Sequence, residues 1–287
     1  MTIPIIEHAG PLLGRYRVLL CDVWGVVHDG IKAYPGANDA LPRFRQAGGV
    51  VVLVSNAPRP GFSVAELLEE KAVVRETWDA IVTSGDIALS HIAEAGYNHL
   101  YRIGPERRDR AFFDALPGPH APIEEADAII CTALNRDREE RPEAYLPVLE
   151  KALARRLPFV CANPDLAVHV GDDLLPCAGA IAALYEAMGG AVFWAGKPHP
   201  IAYKSALERA AELAGRPVER SEVLAIGDAI RTDLAAAQGA GVDALLIAGG
   251  LHRDEVMTDG TIDPDRLSRL LVPPAPRPVA VMRHLAW

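Results

Sequence analysis

The stretch LLCDVWGVVHDG, residues 19–30, decides how the rest of the chain is read. With Val18 before it, the run Leu19-Leu20-Cys21 has no polar interruption, which is the pattern of a strand buried on both faces. It runs straight into a carboxylate, Asp22. Trp24 follows two residues later, then Gly25 and a second turn-like element, His28-Asp29-Gly30. A carboxylate at a strand end carries chemical meaning only if the sheet is parallel, so the next question is what kind of sheet this strand joins.

Further runs of the same kind recur along the chain. VVVLVSNA (50–57), DAIICTA (127–133), PFVCAN (158–163), VLAIGD (223–228) and VDALLIAG (242–249) all read as buried strands. Between them lie stretches of helical spacing, such as RPEAYLPVLEKALARR (141–156) and PIAYKSALERAAELAG (200–215), the latter closed by a glycine stop. Repeated strand–helix alternation predicts an α/β fold with a doubly wound parallel sheet. The apolar run 178–196 contains Glu186 and breaks at Gly189-Gly190, so it predicts a helix then a strand, not a membrane span. Beyond the Pro-rich VPPAPRP (272–278), the apolar ending predicts a short docked strand over 279–282.

Composition narrows the function classes. Half of the 287 residues are apolar and 23% are charged, enough for a sizeable core. The net charge of −9 disfavours nucleic acid and anionic membrane as partners, while a homo-oligomer stays open. The four cysteines are scattered without a CxxC pair, and Cys21 and Cys131 sit inside strand-like runs. They are read as reduced core thiols of a cytoplasmic protein. The N-terminus has no basic leader, and Pro4 and Glu7 make it a poor signal peptide.

In a doubly wound sheet, ligands bind beyond the carboxyl ends of the strands. Four polar endings emerge there: Asp22, Ser55-Asn56, Lys197 after AVFWAG, and Asp228, with Asp233 close behind it. The first two and the last two are separated by a segment too long for a connection and rich in elements of its own, which predicts a second domain. Converging carboxylates suit a hard cation such as Mg²⁺. Ser55 and Lys197 suit the peripheral oxygens of a phosphoryl group, and the set as a whole suits phosphoryl transfer through an aspartyl phosphate.

CDVWGV (21–26), LVSNAPR (53–59), GKPHP (196–200) and GDAIRTDLAAAQGAG (227–241) resemble the four ordered motifs of the haloacid dehalogenase superfamily. YPGA (34–37) and ANPD (162–165) are similar to features of its subclass IIA, which includes sugar phosphate, p-nitrophenyl phosphate, phosphoglycolate and pyridoxal phosphate phosphatases. The resemblance implies a Rossmann-like core over 1–84 and 178–287 with an inserted α/β cap over 85–177. It makes Asp22 the nucleophile, Ser55 the phosphate-binding hydroxyl and Lys197 its charge partner. Asp22, the Trp24 carbonyl, Asp228 and Asp233 become the Mg²⁺ ligands, with a small phosphorylated metabolite as substrate. Asn56, Asn163 and Asp165 are candidate substrate contacts, although Asn-Pro-Asp reads equally as a turn at a hinge.

Trp24 is where the chain departs from that pattern. Most family phosphatases carry a second aspartate there, serving as acid for the leaving group and base for water. An indole donates a hydrogen bond but shuttles no proton, and loss of such a group lowers rates by roughly 10²–10⁴-fold. Three readings follow: a slow or unusual phosphatase, a dehalogenase-like hydrolase acting at carbon, and a phosphometabolite-binding protein with decayed catalysis. His28 and Asp29 are the nearby substitutes for the absent acid, and HDG also reads as a plain turn.

Overall fold

The structure is a computed structural model that describes residues 3–170 and 173–287. The chain folds as two compact units, one formed by Met1–Ser55, Val64–Val82 and Pro200–Trp287, the other by Asn56–Ser63 and Thr83–His199.

The first unit is built on a six-stranded sheet in the order Ala280–Met282, Asp243–Ile247, Val223–Gly227, Val18–Cys21, Val50–Ser55, Ala80–Thr83. The pairings from Ala280–Met282 across to Val50–Ser55 are all parallel. Val18–Cys21 and Val223–Gly227 are buried at every residue, as central strands covered on both faces must be. Helices Pro35–Gln46 and Pro200–Ala214 pack on Val50–Ser55, and Gly215 ends the second of these in a left-handed conformation (φ +64°). The C-terminal strand forms as expected, pairing with Leu245–Ile247. Ile5 bridges to Val281, and the Ala9 N–H donates to the Ala286 carbonyl. A side chain at Gly36 would overlap the Leu285 carbonyl, which explains the glycine of YPGA.

The second unit has its own parallel sheet: Leu100–Ile103, Ala128–Cys131, Phe159–Cys161, Val192–Trp194. Its core contains Phe159, Tyr185, Leu149, Ile181, Cys131 and Cys161. The expected boundaries of 85 and 177 differ from the observed 83 and 199. Helix Ala178–Ala187 packs on Phe159–Cys161, and Val192–Trp194 pairs with that same strand. Both therefore belong to this core and not to the first, and Lys197 moves with them. The run 178–196 does split into a helix and a strand, and among the described residues no helix is long and apolar enough to cross a membrane. All four cysteines are buried thiols.

Candidate active site

Register brings the acidic residues of the first unit together. Val18 pairs with both Val50 and Val223, and Cys21 with both Leu53 and Ile226. Asp22 therefore leaves its strand level with Gly227, and its N–H donates to the Ile226 carbonyl (2.8 Å). Strands 50–55 and 80–83 extend the sheet to one side of Val18–Cys21, and 243–247 and 280–282 extend it beyond Val223–Gly227 on the other. The order reverses between these two central strands, and such a switch point opens a crevice at the carboxyl edge. Asp22 and Asp228 emerge at that edge.

Asp233 arrives by a widened turn. Over Ile230–Leu234 the helix is of π type, the Leu234 N–H reaching back to the Ala229 carbonyl (3.2 Å) before regular helix resumes at Ala235. Such turns recur at functional sites. Here it directs the Asp233 carboxylate back over the strand end, where its Oδ2 accepts the Ala229 N–H (3.1 Å). Asp228 Oδ2 accepts the Leu251 N–H (2.8 Å). Oxygens of Asp22, Asp228 and Asp233 lie within 4.8 Å of one another. Asp233 is 1% exposed, Asp228 6%, and Asp22 half-buried.

Three glycines make room for this trio. A Cβ on Gly25 or Gly250 would overlap the Asp228 carboxylate, and one on Gly227 would overlap Asp233. Gly25 also holds φ +82°, a left-handed conformation that disfavours any L side chain. The donor set is all oxygen and converging, and three like charges at this spacing repel unless neutralised. These residues fit a hard divalent cation such as Mg²⁺. The glycines carry a sequence signal of their own: each lies within three residues of an acidic residue or in the Gly-Gly pair 249–250.

Both neighbours of Trp24 that were candidate stand-ins for an acid are held by hydrogen bonds in the turn. His28 is buried, its Nδ1 accepts the Gly30 N–H (2.9 Å), and burial with the nearby Lys71 ammonium pushes its pKa down to about 4, Asp29 only partly opposing. At neutral pH it is a neutral turn residue. Asp29 Oδ1 accepts the Ile31 and Lys32 N–H groups, and these bonds, that from Lys32 foremost, hold its carboxyl below the usual range. The HDG segment is thus a hydrogen-bonded turn.

His28 also predicts a pH dependence. Its folded pKa lies below the unfolded value of 6.5, so between pH 6.5 and about 4 the unfolded chain binds the extra proton. Stability is unaffected above that window and falls as pH drops through it, by roughly 3 kcal/mol in the limit. His28→Asn keeps an acceptor near the Nδ1 position and removes the titration. Thermal melts from pH 7.5 to 4.5 should show a shallower acid decline for this variant. Identical declines would contradict the assignment.

Ser55 closes strand Val50–Ser55 of the first unit and is half-buried. The other expected contacts lie within the second unit. Asn56 Nδ2 donates to Asp165 Oδ1 and to the Lys197 carbonyl (both 2.9 Å). Its Oδ1 accepts the Lys197 N–H (2.8 Å) and the Ser84 hydroxyl (3.4 Å). Both ends of the Asn56 amide are therefore engaged by protein groups. It fixes the backbone of Lys197, itself 2% exposed. Asp165 donates its N–H to Asn163 Oδ1 (3.1 Å), which closes Asn-Pro-Asp locally, and Gly179 is the residue that lets the next helix start against it. Asn163 also lines a cavity of about 180 Å³ with Arg59, Arg108, Asp137 and Cys177.

Comparison with known proteins adds to this geometry. A haloacid dehalogenase-like hydrolase family model matches residues 19–115, and a HAD-hydrolase-like model matches 194–272. The crystal structure of a hydrolase of the haloacid dehalogenase-like family from Brucella suis is 38% identical. It superposes with a TM-score of 0.84 over 98% of this chain and 100% of that one. The 5'-nucleotidase YutF of Bacillus subtilis is 27% identical over 85% of this chain and 91% of its own. An acid sugar phosphatase of Staphylococcus epidermidis is 24% identical over 87% and 93%.

Proposed function

Because the chain belongs to the haloacid dehalogenase-like hydrolase family, we propose that it is a Mg²⁺-dependent phosphatase of a small phosphorylated metabolite, with Asp22 as nucleophile. The observation that carries this reading is the convergence of Asp22, Asp228 and Asp233 within 4.8 Å at the switch point of the sheet. Similarity to proteins named as a 5'-nucleotidase and an acid sugar phosphatase supports a phosphate ester as substrate. The buried thiols fit a cytoplasmic setting.

In this reading a carboxylate oxygen of Asp22 attacks phosphorus, the ester P–O bond breaks, and the substrate alcohol departs. Water then hydrolyses the aspartyl phosphate, releasing phosphate and restoring Asp22. Asp228, Asp233 and the Trp24 carbonyl would hold Mg²⁺, which when bound neutralises the charge of the phosphoryl group facing Asp22. Ser55 and Lys197 take the roles their motifs imply, binding the peripheral phosphoryl oxygens, and Asn56 positions Lys197. The second unit is assigned substrate selection, with Asn163 and Asp165 its candidate contributors. With Trp24 where an acid would stand and His28 and Asp29 engaged in the turn, turnover on simple alkyl esters is slow unless another residue, Asp165 being the candidate, or the substrate itself supplies the proton.

A panel of phosphorylated metabolites assayed with and without Mg²⁺ tests the proposal, multiple-turnover phosphate release being the expected result. Binding without turnover would favour a phosphometabolite-binding protein, the second reading that Trp24 supports. Metal occupancy has its own test. Excess Mg²⁺ should raise the melting temperature, equivalent to about 2.7 kcal/mol at a hundredfold excess over Kd. Asp228→Asn should remove most of that gain. Equal gains in both proteins would place the metal elsewhere.

A further inference from the structure

The indole of Trp24 is 46% exposed, whereas the residues around it in the loop are mostly buried. Single exposed apolar side chains need no explanation by themselves. Trp24 differs in where it stands and in how it is held. It lies two residues beyond Asp22 and next to Gly25, whose missing side chain leaves room for the Asp228 carboxylate. One part of its ring meets His28 edge-on, with centroids 5.3 Å apart and planes at 70°. Its Cζ2 and Cη2 atoms rest over Gly30, where a Cβ would come within 2.6 Å. Gly30 in turn holds φ +92° and donates its N–H to His28. The turn therefore fixes the ring on one side and leaves the remainder to solvent, on a loop that begins at Asp22.

We propose that Trp24 is a specificity-determining residue, a preorganised aromatic platform that selects phosphate esters with a planar, unsaturated leaving group. This rests on the phosphatase reading above and names the substrate class within it. A ring already held in place loses little conformational freedom on binding, so stacking is not offset by ordering. Aromatic pairs contribute beyond the area they bury.

Benzyl phosphate and cyclohexylmethyl phosphate test this directly, because their alcohols are similar in acidity and size while only one is aromatic. The wild type should prefer the benzyl ester by roughly 3–10-fold in kcat/KM. Trp24→Leu should bring the two within about twofold, and Trp24→Phe should retain part of the preference. Equal rates in the wild type, or a preference that survives in Trp24→Leu, would overturn the proposal while leaving the phosphatase reading intact. A Trp24→Leu variant slowed equally on both esters would assign Trp24 a purely structural role and overturn it as well. If no ester releases phosphate, the phosphatase reading fails. Stabilisation by benzylphosphonate against cyclohexylmethylphosphonate, both in Mg²⁺, then decides the platform on its own.

Discussion

Asp22→Asn is expected to abolish turnover, lowering kcat by on the order of 10⁴–10⁶-fold, the scale seen when a covalent nucleophile is lost. Asparagine matches aspartate in shape, and the Asp22 N–H bond to the Ile226 carbonyl involves only backbone. The fold should therefore survive, leaving the loss attributable to chemistry. Wild-type protein quenched in acid during turnover should carry a phosphoryl group on the peptide containing Asp22, and hydroxylamine should remove it. A variant retaining more than about a hundredth of wild-type activity, or label on another peptide, would reassign the nucleophile.

Gly25→Ala is expected to have the second largest effect, because it combines two insults. A left-handed residue other than glycine costs about 1–2 kcal/mol, and the added methyl would overlap the Asp228 carboxylate. Gly48→Ala separates them: Gly48 holds φ +89° with nothing near its missing side chain. Both variants should lose similar backbone stability. Only Gly25→Ala should also lose the stabilisation by Mg²⁺ and catalysis, since its Asp228 must move. Were Gly48→Ala to weaken the response to Mg²⁺ equally, the effect would be global and the glycine would have no special part in shaping the acidic site.

The sequence was most informative where structure is local. The strands at 18–21, 50–55, 128–131, 159–161, 223–227 and 243–247 lie inside runs that are visibly apolar, and parallel register then carries Asp22 to Asp228. The C-terminal strand was legible because an apolar ending after a proline-rich stretch has to be buried somewhere. Partnership was harder to read. Val192–Trp194 is recognisable as a strand, but an apolar run says nothing about which sheet it joins, and so Lys197 was assigned to the wrong unit. The hydrogen bonds of Asn56 are hidden in the sequence for a related reason. Its position after a strand suggested substrate, while its partners, Asp165 and Lys197, are more than a hundred residues away. The turn at His28-Asp29-Gly30 was ambiguous in sequence until the hydrogen bonds to Nδ1 and Oδ1 were seen.

The short segment Asn56–Ser63 has a consequence for protein engineering. It belongs to the second unit although Val64–Val82, which follows it, belongs to the first. Besides the Asn56 amide, it supplies the Arg59 carbonyl that accepts the Thr83 hydroxyl (2.6 Å) and the Gly61 N–H that donates to Asp86 (3.0 Å). A contiguous fragment cut at 83 and 199 would lose all three, and with them the outside partners of Thr83 and Asp86 at the start of its first helix, Ser84–Ala95, and the anchor of Lys197. Exchanging this unit with that of a relative therefore requires transplanting two pieces of chain. A chimera made with a single excision would carry the donor's sheet but the recipient's clasp.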